Sequence, residues 1–321
     1  MARRSLTGIK PTGTPHIGNL LGAIRPALAL QQDYEAFYFI ASYHALTSVH
    51  DRASLLDNRV RVAATWLALG LDPSRTILFN QHDVPELCEL SWILTCLTPM
   101  GMLDNGHAFK DAVAKNTGVN AGVYTYPVLM AADILMFESN VVPVGKDQKQ
   151  HVEIARDIAG TFNSKFGETF TLPEPLIQPD VATVPGLDGR KMSKSYGNTV
   201  EIFLPARDLR KKLMSIKTDS TPLGTPLNPD TCHVYALYKL FATADQAADL
   251  AARYRAGAVG YGHAKQELYE VMDSTLAGPR ERYNELLAHP EQVSVVLDAG
   301  AERARAVAKK TMERVRDRVG L

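Results

Sequence analysis

Short, almost wholly apolar runs alternate with segments of helical periodicity in the first half of the chain. The runs 37–42, 76–80 and 140–144 are typical of strands that are buried on both faces of a parallel sheet. Between the first two, the segment 53–69 carries apolar residues at helical spacing and is followed by Gly70, a common helix stop. The order strand, helix, strand predicts an α/β fold with a doubly wound, Rossmann-like parallel sheet.

The pattern changes near residue 199, after which helical segments follow one another and no convincing strand occurs. Helices are predicted over 206–216, 233–243, 245–256, 264–276, 280–288 and 290–318. We therefore predict a C-terminal all-helical region after the α/β domain. The predicted parts are a Rossmann-like domain over 1–199, a helical domain over 200–289, and a last helix over 290–321 that packs back on the first domain.

Composition and charge exclude several classes of protein. The 35 basic and 35 acidic side chains cancel, so no net positive field indicates a nucleic-acid partner. Cys88, Cys96 and Cys232 fit neither a zinc cluster nor a disulfide framework, which predicts reduced thiols. The amino terminus lacks the apolar segment of a signal peptide, and no run is long enough to span a bilayer. We therefore expect a cytoplasmic protein.

A glycine-containing motif, GIKPTGTPHIGN at 8–19, lies between a predicted strand and a helix-like segment. Backbone N–H groups at such a turn favour phosphate, and Gly13 and Gly18 allow the backbone to approach a ligand closely. His16 and Asn19 can donate hydrogen bonds to phosphate oxygens. On its own, the motif is better explained as a tight turn with a hydrogen-bonded histidine.

A second motif, KMSKS at 191–195, places two lysines and two serines within five residues. Turn-forming residues at 185–189 and 197–198 surround it, which predicts a mobile, cationic loop. Most short lysine clusters are solvated surface loops. The combination of this pentapeptide with the first motif is far more specific than either motif alone.

Together the two motifs resemble the HIGH and KMSKS signatures of the class I aminoacyl-tRNA synthetases. Asn19 replaces the second histidine, a variant familiar in the tryptophanyl and tyrosyl branch. The resemblance implies that an amino-acid carboxylate attacks the α-phosphate of ATP, supplied with Mg²⁺, and that the aminoacyl group then passes to tRNA. Such a reaction needs positioning and charge neutralisation, with no tightly bound protein-ligated metal. The implied catalytic residues are His16, Asn19, Lys191, Lys194 and Ser195.

Two further segments bear on the choice of amino acid. In TYPVLMAADIL at 125–135, a helix is predicted to start at Pro127, and Asp133 is an isolated carboxylate among apolar residues. Such a carboxylate needs a partner, which on the sequence alone is as easily a protein group as a substrate. The segment 143–153 follows a strand at the place where doubly wound sheets bind ligands, but it also fits a capped helix start.

With the segment YHALT at 43–47, these segments resemble the tryptophanyl-tRNA synthetases, and the resemblance extends over nearly the whole chain, including the residues around Gly300. It implies that Asp133 accepts the indole N–H. The implied tryptophan pocket also includes Tyr126, Met130, His44 and Gln148. The implied ATP site comprises Lys10, Pro11, Thr12, Gly18, Asn19, Gly145, Lys146, Asp147, Val184, Lys191, Met192, Ser193, Lys194 and Ser195.

Lys10 and Lys146 depart from the commonest bacterial pattern, which has glutamine and an acidic residue at these positions. Both lysines add positive charge near the implied site, and we expect Lys10 to tighten ATP binding. The implied partners are tRNA(Trp), L-tryptophan, ATP and a second copy of the chain, with anticodon recognition by the helical domain and no membrane. The apolar segment 92–102 could supply dimer contacts or form a core helix.

Other functions remain open at this point. A tyrosyl-tRNA synthetase would need a different polar set around the ring, and the segment MAAD at 130–133 argues against it. A tRNA-independent nucleotidyltransferase of the same superfold would not need the KMSKS loop and the helical region after it. Intact lysines and His16 argue against a non-catalytic paralogue that serves as a binding protein.

Overall fold

The computed structural model describes the chain apart from residues 1–2, 107–108, 111–112, 114–118, 146–147 and 178–183. The chain forms two compact units. One comprises Met1–Thr14, Arg25–Pro179 and Leu286–Leu321, and the other comprises Pro15–Ile24 and Asp180–Glu285. The predicted division at residues 199 and 289 stays a prediction.

The first unit contains a five-stranded parallel sheet. Its strands are β1 (Arg4–Ile9), β2 (Glu35–Ile40), β3 (Ile77–Asn80), β4 (Val141–Val144) and β5 (Glu174–Ile177). Their order is β3-β2-β1-β4-β5, so β1 has the strand that follows it on one side and β4 on the other. The predicted doubly wound α/β fold is confirmed, and the strand order reverses between β1 and β4.

Helices cover the sheet and continue through the second half of the chain. Those before β5 are α1 (Ile17–Asn19), which runs through the π-helical turn Leu20–Ile24 into α2 (Arg25–Leu30), then α3 (Ser42–Ala45), α4 (Arg52–Ala68), α5 (Glu86–Thr95), α6 (Met100–Asp104), α7 (Ala121–Met136) and α8 (Lys149–Phe166). Those after β5 are α9 (Ala206–Met214), α10 (His233–Tyr238), α11 (Ala244–Arg255), α12 (Tyr261–Ala288) and α13 (Pro290–Val319). The predicted C-terminal helical region is confirmed.

Aromatic side chains form the centre of the first unit's core. The rings of Phe37 on β2 and Phe137 after α7 are stacked with centroids 4.9 Å apart, and Phe79 on β3 meets Phe137 edge-on at 5.4 Å. All three are fully buried. Because β2 and β3 are buried throughout, their sequences are nearly continuous apolar runs, which is why the sequence predicts them.

The sequence predicts a start of α7 at Pro127, and this is wrong. The helix begins six residues earlier, where Asn120 caps it by accepting a hydrogen bond from the Val123 N–H at 3.0 Å. Pro127 therefore lies inside the helix, where it cannot donate the usual bond to the carbonyl of Val123. Only two of the residues in 121–126 are apolar aliphatic residues, so periodicity gives no sign of this first part.

The predicted break near Pro279 is also wrong, because α12 continues through it. Leu268, Met272, Leu276 and Tyr283 are all buried at spacings of four, four and seven residues. This one apolar stripe runs along both sides of the proline and offsets the lost backbone hydrogen bond. Local sequence signals were outweighed here by packing.

Candidate functional site

Three parallel strands of the first unit end at one edge of its sheet, and each is followed at once by a polar residue or glycine. Lys10 follows β1, Gln81 follows β3 and Gly145 follows β4. Because β1 and β4 flank the point where the strand order reverses, this edge is the usual ligand site of a doubly wound sheet.

A buried carboxylate lies at the centre of this region. Asp133 on α7 is 1% exposed, and its Oδ2 lies 2.8 Å from Nε2 of His44 on α3. The side-chain amide of Gln81 donates to both carboxylate oxygens, at 2.8 Å to Oδ1 and 3.0 Å to Oδ2. The same amide accepts from the backbone N–H of Tyr43 at 2.9 Å. Asp133 thus has the protein partners that a buried charge requires.

Burial and hydrogen bonding act on Asp133 in opposite directions. Burial has the larger effect and raises the pKa of the Asp133 carboxyl group above its ordinary value, whereas the bonds from His44 and Gln81 limit this rise by favouring the ionised form. An ionised Asp133 accepts from His44, which places a proton on Nε2. Nδ1 of His44 is buried and has no hydrogen-bond partner among the described residues.

Tyr126 lies between His44, the partner of this carboxylate, and the ammonium of Lys10. Its ring meets the ring of His44 edge-on with centroids 6.0 Å apart, and the ammonium of Lys10 lies 5.1 Å from its centroid. The Tyr126 hydroxyl is hydrogen-bonded to Nε2 of His151, and burial raises its pKa to about 12. Lys10 is exposed, but protein atoms around its ammonium displace water, and this desolvation lowers its pKa.

The other predicted residues of the first unit lie on the turns and helices at this edge. Pro11 is buried and Thr12 is exposed, and the Thr12 N–H donates to the Lys10 carbonyl at 2.9 Å. Met130 is partly buried against the core, one helical turn before Asp133. Gln148 is exposed, and its N–H donates to the carbonyl of Gly145. Lys146 and Asp147 lie outside the described residues.

The second unit holds the last part of the first motif, with His16 directly before α1. The backbone N–H of His16 donates to Oδ1 of Asn19 at 3.0 Å, so Asn19 fixes the entry to the helix. A Cβ on Gly18 would lie 2.9 Å from the His16 ring, so only glycine lets the ring adopt this position. The N–H of Ile17 donates to the carbonyl of Val200, which fastens the motif to the chain after the lysine loop.

The KMSKS loop belongs to the same unit and is anchored by its apolar and amide side chains. Met192 is 4% exposed, and its N–H donates to the carbonyl of Val184 at 2.8 Å. Asn198 is buried, and its amide accepts from the Ser193 N–H at 2.8 Å and donates to Asp188 at 2.7 Å. The base of the loop is therefore fixed by these hydrogen bonds.

Both motif lysines, Lys191 and Lys194, are exposed, as is Ser195, whose hydroxyl lies 2.8 Å from that of Ser193. The pKa of His16 is lowered to about 4, mainly by burial, and the charge of Lys194 lowers it further while Glu201 acts against this. His16 is therefore neutral near pH 7, and its ring offers one donor and one acceptor nitrogen. Neutral donors and lysines together suit a triphosphate.

Two residues that organise these groups, Gln81 and Asn198, were not predicted from the sequence. The signal for Gln81 was its place directly after a buried strand, at the same sheet edge as Lys10 and Gly145. For Asn198 the only signal was a turn-forming residue after the lysine motif, which does not distinguish a buried amide from an exposed one.

Neither a cluster of metal-binding side chains nor a membrane-spanning helix occurs among the described residues. No group of three or more histidine, cysteine or acidic side chains in that part of the chain could hold a metal ion. Within the same residues, no helix combines the length and the apolar character that crossing a membrane requires.

Comparisons with known proteins agree with the fold and the motifs. A tryptophan–tRNA ligase of Fusobacterium nucleatum is 48% identical over 99% of this chain and 98% of its own length. One from Pseudomonas aeruginosa is 48% identical over all of this chain and 74% of its own length. A crystal structure of Campylobacter jejuni tryptophanyl-tRNA synthetase, complexed with ADP and tryptophan, is 47% identical, with a TM-score of 0.93 over 99% of this chain and 100% of that chain.

The family assignment comes from the match to a family model. Residues 2–277 match the model for the class I tRNA synthetases (W and Y), which is well over half of the chain. The chain belongs to this family of class I tRNA synthetases.

Proposed function

We propose that this chain is a tryptophan–tRNA ligase. It activates L-tryptophan with ATP to tryptophanyl-adenylate and pyrophosphate, and then transfers tryptophan to the 3′ end of tRNA(Trp). The observation that carries the choice of amino acid is the buried carboxylate of Asp133, held by His44 and Gln81 at the sheet edge. Relatives of this name, 48% identical over 99–100% of the chain, support the proposal.

In the proposed tryptophan pocket, Asp133 accepts the indole N–H. Tyr126 and Met130 line the ring, and His44 and Gln148 lie near the bound amino acid. A site built to accept a substrate N–H rejects an analogue that lacks it by roughly 10⁴–10⁵. Phenylalanine is therefore excluded by Asp133. Tyrosine has to be excluded by the shape of the pocket, because its hydroxyl could also donate to a carboxylate.

In the proposed ATP site, lysines and neutral donors meet the phosphates. His16 and Asn19 donate to phosphate oxygens, and Lys191 and Lys194 neutralise the charge that develops on pyrophosphate as it leaves. Mg²⁺ arrives with ATP as part of the substrate. The lysines lie on a loop with an anchored base, so movement of the loop can close the site over ATP and then release product. The remaining residues of this site are Lys10, Pro11, Thr12, Gly18, Gly145, Lys146, Asp147, Val184, Met192, Ser193 and Ser195.

The proposal extends to partners. The helical domain over 200–289 would read the anticodon of tRNA(Trp), and two copies of the chain would form a homodimer. An enzyme that charges tRNA for protein synthesis works where translation takes place, so we place it in the cytoplasm. These assignments are implied by the family resemblance.

Exchange of labelled pyrophosphate into ATP, run with each amino acid in turn, tests the proposed function. Tryptophan alone should support exchange, and Asp133→Asn should reduce discrimination against phenylalanine by roughly 10²-fold or more. Exchange with tyrosine alone would identify a tyrosyl-tRNA synthetase, and exchange with neither would point to a binding protein. Exchange without charging of tRNA would favour a nucleotidyltransferase.

A further inference from the structure

Gln81 is fully buried, although its side chain has two donors and an acceptor to satisfy. Its Oε1 accepts from the backbone N–H groups of Tyr43 and His44, at 2.9 and 3.4 Å. Its Nε2 donates to both oxygens of Asp133. One side chain after β3 thus joins the start of α3 to the carboxylate on α7.

Only an amide of this length can make these contacts in this orientation. A glutamate would present acceptors to Asp133 and repel it, and a methionine would fill the space without donating or accepting. With the site buried, water does not readily replace the lost bonds, so the carboxylate would lose a partner outright. The two partners of Asp133 are also linked to each other, because Gln81 holds the backbone of His44.

The contacts determine which part of Asp133 is left for a ligand. A carboxylate has about four acceptor positions. Oδ2 accepts from both His44 and Gln81, whereas Oδ1 accepts from Gln81 alone. The remaining acceptor position is therefore on Oδ1. Because Gln81 contacts both oxygens, it also fixes the plane of the carboxylate, which His44 alone would not do.

We propose that Gln81 is a positioning residue that fixes the Asp133 carboxylate so that Oδ1 accepts the indole N–H of tryptophan. This inference rests on the proposed function and deepens it. Selectivity for an N–H in the ring then depends on a residue that acts through Asp133. Loss of Gln81 would leave the carboxylate free to rotate. It would also remove one of the bonds that favour the ionised, accepting form.

The test compares two substrates that differ only at the ring N–H. β-(3-Benzothienyl)alanine has sulfur in place of the indole N–H and nearly the same shape. In amino-acid-dependent pyrophosphate exchange, Gln81→Met should lower kcat/KM for tryptophan by roughly 10- to 100-fold, as expected for a lost bond to a charged group. The kcat/KM for the sulfur analogue should change by less than about threefold, because the analogue has no N–H to present. A loss of structure alone would lower both values together.

Two further variants make the result decisive. Gln31→Met is the matched control, because Gln31 also bridges two backbone groups, Gly70 O and Asp72 N, and has no contact with Asp133. Gln31→Met should leave unchanged the ratio of kcat/KM for tryptophan to kcat/KM for the sulfur analogue. Gln81→Glu keeps an acceptor for α3 and is the variant to measure if Gln81→Met does not fold, and it should lower the ratio as Gln81→Met does.

The double variant Gln81→Met, Asp133→Asn distinguishes the proposed route. If Gln81 acts through Asp133, the double variant should show the same low ratio of kcat/KM values as Asp133→Asn, with no further decrease. An unchanged ratio in both Gln81 variants, while wild type uses tryptophan, would overturn the role of Gln81 and leave the proposed function standing. Absence of tryptophan-dependent exchange in wild type would instead overturn the proposed function.

Discussion

At the scale of single residues, the two kinds of charge in this molecule are handled differently. Asp133 is buried and held by His44 and Gln81, so the geometry of its oxygens is set before any ligand binds. The lysines of the KMSKS loop are exposed, and hydrogen bonds of Asn198 hold the base of their loop. An acceptor that is fixed in advance suits recognition of an indole ring. Cations on an exposed loop suit a pyrophosphate that has to leave the site.

Lys10 is neither a buried charge nor a lysine of the KMSKS loop, and its position leads to a prediction about ATP binding. It is exposed, its ammonium lies over the ring of Tyr126, and no carboxylate among the described residues is paired with it. Replacing it by glutamine removes one positive charge beside the proposed phosphate site. We expect Lys10→Gln to weaken ATP binding by roughly three- to tenfold, measured by calorimetry without amino acid.

The matched control for Lys10 is Arg3, whose guanidinium lies 5.3 Å from the ring centroid of Tyr34. Arg3 precedes β1 and so lies at the opposite end of that strand from Lys10. Arg3→Gln makes the same change in charge and should leave the dissociation constant for ATP unchanged. Equal ATP affinity in wild type and Lys10→Gln would contradict the role given to Lys10.

At the scale of elements, docking of the last helix on the sheet depends on one glycine. A Cβ at Gly300 of α13 would lie 1.8 Å from the carbonyl oxygen of Leu78 on β3, so the helix could keep its position only if backbone moved. The hydroxyl of Thr311 also donates to the carbonyl of Met136 at 2.9 Å, which fastens α13 to the end of α7. The approach of helix backbone to strand backbone is thus part of the first unit's core.

We expect Gly300→Ala to destabilise the protein by about 2 kcal/mol or more, because overpacking against backbone cannot be relieved by a side-chain rotation. Gly160→Ala is the control, because Gly160 lies within α8 of the same unit and nothing approaches its Cβ position. It should be neutral or stabilise by about 0.5–1 kcal/mol. Urea denaturation followed by circular dichroism measures both, and equal midpoints for the two variants would refute the packing argument.

An element could be predicted from the sequence when its own residues show how it is buried. Buried strands such as β2 were evident because both faces of the strand are apolar. β5, with sequence EPLI, was missed because its residues are exposed or half-buried, whereas β3, also at an edge of the sheet, is buried throughout. Asp133 could be singled out as an anomaly on an apolar helix. Its partner Gln81 could not, because contacts between residues 52 positions apart depend on the register of the fold.

At the scale of the molecule, three arginines of α13 are paired with acidic residues of the first unit. Arg305 is paired with Glu86 at 2.9 Å and Arg316 with Glu89, both on α5. Arg314 is paired with Glu138. These pairs favour the interpretation of α13 as an ordinary charged helix, and they turn the acidic face of α5 toward it. The exposed side of α5 carries different residues.

The exposed side of α5 carries apolar residues, and these residues lead to a prediction about assembly. Cys88, Trp92 and Cys96 follow one another at intervals of four residues and are exposed, with Trp92 at 70% and Met100 after it at 66%. A large exposed aromatic residue is typical of the centre of a protein interface. Together with the homodimer that we propose, this favours α5 as part of the contact between two copies.

Trp92→Asp should therefore convert the dimer into a monomer, because a carboxylate would be buried without a partner at the contact. Size-exclusion chromatography with light scattering, over a range of protein concentrations, measures the mass directly. Val295→Asp is the control, since Val295 on α13 is 68% exposed and lies on a different helix, and it should leave the mass at that of two chains. A wild-type protein that elutes as a monomer throughout would refute the assembly, whereas a Trp92→Asp variant that stays dimeric would move the contact away from α5.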